Sequence, residues 1–212
     1  MHGFLGRASD WEPVVRQTSG FEFTCGEMFG FQDFAIPDWS TLPQKKIFLG
    51  YSLGGRLGLQ LLQHNPHSFD HYVFLSTNPG FAEAQKEERQ QRLQDDMAWA
   101  SKITAEKWHD FLQEWNSQAV FKAGLREPER AFADFDLQKL RHSLVENSLG
   151  LQPDYRNLIR EHKNKITWVV GKRDRKYCDL AQSLDVGAVM VDSGHRVLLD
   201  NPGAVVDILS QI

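Results

Sequence analysis

The feature that most restricts what this chain can fold into is a short apolar run, Lys46-Ile47-Phe48-Leu49, that passes directly into Gly50-Tyr51-Ser52-Leu53-Gly54-Gly55. An amphipathic stretch from Gly54 to His64 follows, with Leu57, Leu61 and Leu62 on one face and Asn65-Pro66 as its stop. A strand that becomes a helix over so few residues needs a sharp, strained turn, and side chains bulkier than glycine would clash where the two elements meet. The G-x-S-x-G spacing therefore projects the Ser52 hydroxyl at the carboxyl end of a sheet, with a helix N-terminus behind it.

Other short apolar runs read as buried parallel strands: His71 to Leu75, Ile166 to Val170 and Ala188 to Val191, with Phe21 to Thr24 as a weaker fifth. A helix is expected from Pro202 to Ile212, with proline near its start and Val205, Val206, Ile208 and Leu209 for packing. Alternating strands and helices predict an α/β class protein with a mostly parallel sheet flanked by helices. The middle of the chain differs, being helical, polar and rich in Gln, Glu, Lys and Arg, punctuated by Trp99, Trp108, Phe111, Trp115 and Phe121. It reads as a helical cap insertion over residues 81–161, between a first core part at 1–80 and a second at 162–212.

Composition excludes several functions. A chain of 212 residues with formal net charge −4 lacks the basic balance of a broad nucleic-acid surface. No run approaches the length of a membrane span, and no secretory signal opens the chain. The two cysteines, Cys25 and Cys178, are far apart, which fits a reducing, cytoplasmic setting better than a disulfide framework. Metal-ligand spacing and glycine-rich phosphate loops are both missing from the sequence, so no metal or cofactor is expected.

A serine used in catalysis needs a base, and the base needs an orienting carboxylate. Asp174 falls just beyond the strand ending at Val170, and His195 just beyond the one ending at Val191, giving the order serine, acid, histidine on one edge of the sheet. Asp179, Asp185 and Asp192 are rivals to Asp174. His2-Gly3-Phe4-Leu5-Gly6 has the form of a loop that supplies an oxyanion-hole amide, here that of Phe4, and the Leu53 amide would be its partner. Because this loop begins at residue 2, a truncated N-terminal sheet edge is expected, and the stretch between Cys25 and Lys46 shows no clear helix.

With these segments in place, the chain resembles the α/β-hydrolase superfamily. Within it, the chain is most similar to the menaquinone-pathway 2-succinyl-6-hydroxy-2,4-cyclohexadiene-1-carboxylate synthases. The resemblance rests on HGFLGRASDW (His2 to Trp11), GYSLGGR (Gly50 to Arg56), NPGF (Asn78 to Phe81) and ERQQRLQDDMAWA (Glu88 to Ala100). SLGLQPDYR (Ser148 to Arg156), GKRDRKY (Gly171 to Tyr177) and the SGH and DNPGAV segments between Ser193 and Val205 complete it. It implies a cofactor-free lyase that eliminates pyruvate from 2-succinyl-5-enolpyruvyl-6-hydroxy-3-cyclohexene-1-carboxylate, with the Ser-His-Asp set acting as a base. It also implies that Tyr51, Arg56, Arg92, Trp115 and Arg141 bind the substrate. A small anionic substrate of this kind suits guanidinium groups, which pair with carboxylates through two parallel hydrogen bonds. Two rivals stand beside the lyase: a serine esterase or thioesterase acting on a small acidic ester, and a binding module on the same scaffold. The sequence leaves the oligomeric state open.

Overall fold

The computed structural model describes residues 1–27, 45–125 and 127–212. Among these residues, four strands form one sheet in the order β1 (Ile47–Tyr51), β2 (His71–Leu75), β3 (Ile166–Gly171), β4 (Val189–Val191), every neighbouring pair parallel. Ile47 pairs with His71, Tyr72 with Ile166, and Val169 with Val189. All four carboxyl ends thus open onto one rim.

Side chains alternate across the pleat, so each strand feeds two cores. Phe48, Tyr72, Phe74, Trp168 and Val170 pack on one face with Leu59, Leu61 and Leu62 of helix α2 (Leu53–His64). Tyr51, Val73, Leu75, Val169 and Val191 pack on the other. There they meet α1 (Glu12–Gln17), α8 (Val197–Asp200) and α9 (Pro202–Leu209) through Val14, Val197, Leu198, Val205, Ile208 and Leu209. Burial on both faces explains why the strands read as continuous apolar runs rather than polar-apolar alternations.

Between β2 and β3 the described residues contain helices and no strand: α3 (Lys86–Ser101), α4 (Trp108–Asn116), α5 (Leu137–Glu146) and α6 (Arg156–Glu161), with 3-10 turns at Ala119–Phe121 and Phe132–Asp134. These helices bring a third core, in which Leu5 meets Ala100, Ile103, Trp108, Phe111, Leu140 and Leu144. The Trp108 indole N–H donates to the Arg130 carbonyl at 2.6 Å, so this large ring is buried without an orphaned donor. Helix α7 (Arg175–Gln182) follows β3 and precedes β4.

One expected strand is not formed. Phe21 to Thr24 is irregular, and Phe21 is 38% exposed. Its two phenylalanines contact each other, with ring centroids 6.3 Å apart, instead of joining a ladder. Alternation over four residues, with no strand paired to it among the described residues, does not make a strand. The stretch between Cys25 and Lys46 lies mostly outside the described residues. Among the described residues, no helix is long and apolar enough to cross a membrane.

Candidate active site

Ser52 sits between β1 and α2 with φ 51° and ψ −109°, a conformation that a non-glycine residue adopts at a cost of roughly 1–3 kcal/mol. The turn is tight because its glycines are pressed against backbone. A Cβ on Gly50 would lie 2.7 Å from the Gly55 Cα, and one on Gly54 would lie 2.5 Å from the Met1 and His2 carbonyl oxygens. Two backbone bonds hold the elbow: the Ser52 amide donates to Leu75 O at 2.9 Å, and the Tyr51 amide to Met1 O at 3.1 Å. The Leu53 amide opens α2 and is one of the N–H groups that a helix start leaves without an internal acceptor.

Asp174 caps α7, accepting from the Tyr177 amide at 3.4 Å, and its own amide donates to Gly171 O at 3.0 Å. His195 lies in the turn between β4 and α8. That turn is fastened by Asp200, whose carboxylate accepts from the Gly194 and Leu125 amides, each at 2.7 Å. The two side chains meet with Nδ1 of His195 2.7 Å from Oδ2 of Asp174, both nearly fully buried. A carboxylate only accepts, so Nδ1 carries the proton and Nε2 is left as an acceptor. Nε2 stands 3.4 Å from the Ser52 hydroxyl, a long contact of the kind that tightens when a ligand is bound. The structure therefore brings Ser52, His195 and Asp174 into one relay. Of the rival acids, Asp192 pairs with Arg173 at the surface, and Asp179 and Asp185 are exposed.

The relay opens into a cavity of about 550 Å³ that Phe4, Leu53, Arg56, Arg92 and Trp115 also line. The Phe4 and Trp115 rings are 4.8 Å apart and form an aromatic wall. Arg56 is anchored on the cap side by its guanidinium, which donates to Asn147 O at 2.6 Å and to Gln152 Oε1 at 3.3 Å. Burial, reinforced by the neighbouring Arg92, lowers its pKa to about 10, which leaves it charged at neutral pH. Arg92 donates through Nε to Asp96 at 2.9 Å, a carboxylate that is itself buried.

Two of the residues expected at the substrate lie off the cavity wall. Arg141 does not line the cavity: it is exposed and donates only to Leu137 O one turn back. At roughly 100° per residue, it points away from the buried Leu140, Ser143 and Leu144 stripe of α5. Tyr51 does not line the cavity either. It shares the strand parity of Ile47 and Leu49, so it enters the second core and stands behind His195, ring centroids 5.9 Å apart.

Sequence reasoning missed Arg173, Arg175, Lys176, Tyr177 and Phe121, all of which line the cavity. Four of them were visible as the run Arg173-Asp174-Arg175-Lys176-Tyr177 around the acid. Among the described residues, the charged side chains lining the cavity are five cations (Arg56, Arg92, Arg173, Arg175 and Lys176) and one carboxylate, Asp174. Burial, and then Arg92, lower the Lys176 ammonium pKa, against an upward pull from Asp174. Burial, and then Asp174, raise that of the Tyr177 phenol, so it stays protonated as a donor. Among the described residues, no group of His, Cys, Asp and Glu is arranged to hold a metal ion.

A parallel sheet whose rim carries serine, aspartate and histidine in that chain order, below a helical segment, defines an α/β-class enzyme built around a serine relay. The model of the alpha/beta hydrolase family matches residues 2–208, and the chain belongs to that family. A relative in Citrobacter koseri, described as 2-succinyl-6-hydroxy-2,4-cyclohexadiene-1-carboxylate synthase, is 28% identical over 232 residues, covering 100% of this chain and 91% of its own length. Among solved structures, MenH from S. aureus superposes with a TM-score of 0.78 at 17% identity, over 100% of this chain and 90% of that one. A thermophilic esterase from Thermogutta terrifontis reaches 0.61 at 14% identity, over 99% and 86%.

Proposed function

We propose that this protein is a lyase that releases pyruvate from 2-succinyl-5-enolpyruvyl-6-hydroxy-3-cyclohexene-1-carboxylate. The observation that carries the reading is the charge of the cavity: five cationic side chains surround one relay in a chain whose net charge is −4. A simple ester needs no such set, whereas a substrate with three carboxylates does. The similarity to the synthase of Citrobacter koseri supports the same substrate.

In this mechanism Arg56 and Arg92 hold substrate carboxylates, and Trp115 and Phe4 press on the ring. The Ser52 hydroxyl and His195 together remove a ring proton, with Asp174 stabilising the imidazolium. The electron pair left behind forms a ring double bond as the carbon–oxygen bond to the enolpyruvyl group breaks. The departing enolate takes up a proton and becomes pyruvate. The amides of Phe4 and Leu53 hold the negative charge that develops, a contribution of a few kcal/mol per donor. Residues 81–161 act as a cap, since Arg92, Trp115 and Leu144 reach the cavity from three of its helices. Both cysteines are free thiols, which suits a cytoplasmic enzyme.

The test follows pyruvate after mixing the purified protein with the enolpyruvyl substrate. Ser52→Ala is expected to lower kcat by at least about a thousandfold. Normal pyruvate release by that variant removes the mechanism. One observation favours a second reading: the strained elbow equally serves an acylating serine, and an esterase shares the fold. A burst of product from an activated ester, without pyruvate release from the enolpyruvyl substrate, selects that reading.

A further inference from the structure

Arg196 follows the histidine of the relay, is 2% exposed, and takes no part in the chemistry above. A buried guanidinium costs several kcal/mol unless its donors are matched. Here each nitrogen is matched. Nε donates to Glu127 at 2.8 Å, one terminal nitrogen to Leu125 O at 3.0 Å, and the other to Asn116 Oδ1 at 2.5 Å. The guanidinium also lies over the Phe121 ring, 4.1 Å from its centroid. Glu127 in turn accepts from Arg130, which donates to both oxygens of Asp10. One arginine thereby ties together the end of α4, the 3-10 turn at Ala119–Phe121, the residues Leu125, Glu127 and Arg130, and the N-terminal 3-10 turn at Ala8–Trp11.

The imidazole beside it depends on its neighbours. His195 has one short hydrogen bond, to Asp174, and otherwise rests against the rings of Tyr177 at 4.5 Å, Phe121 at 5.7 Å and Tyr51 at 5.9 Å. Phe121 is thus held between the Arg196 guanidinium and the His195 ring. It also touches Trp115 on the cavity wall, with centroids 6.3 Å apart. We propose that Arg196 is a positioning residue, which fixes the His195 imidazole through Phe121 and so couples the Trp115–Phe121 wall that receives the ligand to the group that moves the proton. The proposal rests on His195 acting as the base. A surface ion pair would do none of this. A buried hydrophobic residue of similar volume would stabilise the fold as well or better, so what the charged network adds is geometry.

The experiment compares wild type with Arg196→Met, Arg196→Lys and Phe121→Leu. It reads kcat and KM per folded molecule and the far-downfield NMR resonance of the His195 Nδ1 proton. Arg196→Met is expected to lower kcat by roughly tenfold or more, because small misplacement of a reacting group is costly, with KM changed much less. The downfield resonance should broaden or vanish. Arg196→Lys keeps the pairing with Glu127 but loses the fork, so its kcat should lie between the two. Phe121→Leu leaves every ion pair in place and should weaken the resonance and kcat in the same direction. It decides the matter if Arg196→Met fails to fold. Unchanged kcat and an unchanged imidazole resonance in the folded variants would overturn the proposal, leaving Arg196 a stabilising residue only. If wild type releases no pyruvate, the lyase reading fails, and the resonance alone then judges the positioning role.

Discussion

At the scale of single residues, the site is set by which atom of a side chain faces which neighbour, and here the sequence is an uneven guide. Ser52, Asp174 and His195 were legible because each follows a strand end, and strand ends of a parallel sheet converge. The placement of Arg141 off the cavity was not legible, because resemblance fixes a position along a helix but not its angle to a buried stripe. Alanine at position 141 should therefore leave pyruvate kinetics within about twofold of wild type, in line with exposed positions away from a site. Asp174→Asn should lower kcat by roughly 10²–10⁴-fold, because the amide no longer fixes the histidine tautomer with Nε2 free to accept. Lys176 gives the pH dependence. Its ammonium is charged below its pKa, and partial burial, then the charge of Arg92, lower that value from the ordinary lysine one. As pH rises through it, the cavity loses a positive charge, so KM for the anionic substrate should climb while kcat holds. Lys176→Met should abolish that limb of the KM profile.

Elements were the most legible level. Four apolar runs became four strands, with no bound moved by more than two residues, and the elbow fell where Gly50 to Gly55 placed it. The one miss, Phe21 to Thr24, shows the reason: pattern alone specifies a face, but a strand also needs a partner with which to share hydrogen bonds. The stretch after α4 was illegible for a related reason: beyond the 3-10 turn at Ala119–Phe121, its described residues are placed by contacts such as Arg196 with Glu127, 69 residues apart in the chain. At this scale the elbow's close approach is the sharpest expectation. Gly50→Ala places a methyl 2.7 Å from the Gly55 Cα, and overpacking of this kind costs about 1–3 kcal/mol. Urea denaturation should show the loss as a lower midpoint. Activity should fall further than stability, since Ser52 rides on the same turn.

At the scale of the whole molecule, charge is distributed against its own average: the chain is acidic, yet its cavity is cationic. A polycarboxylate such as citrate, at a hundred times its dissociation constant, should stabilise the folded state by about 2.7 kcal/mol, seen as a rise in Tm. Arg56→Met should remove most of that rise. The turn after β3 carries a further consequence. Asp174 is held there by backbone, through the Gly171 carbonyl and the Tyr177 amide, while Arg173, Arg175 and Lys176 merely flank it. Appetite for a given anion and competence to shuttle a proton are thus encoded by adjacent but separable letters. A lineage exchanging those three cations could wander to new ligands while its proton relay stayed put.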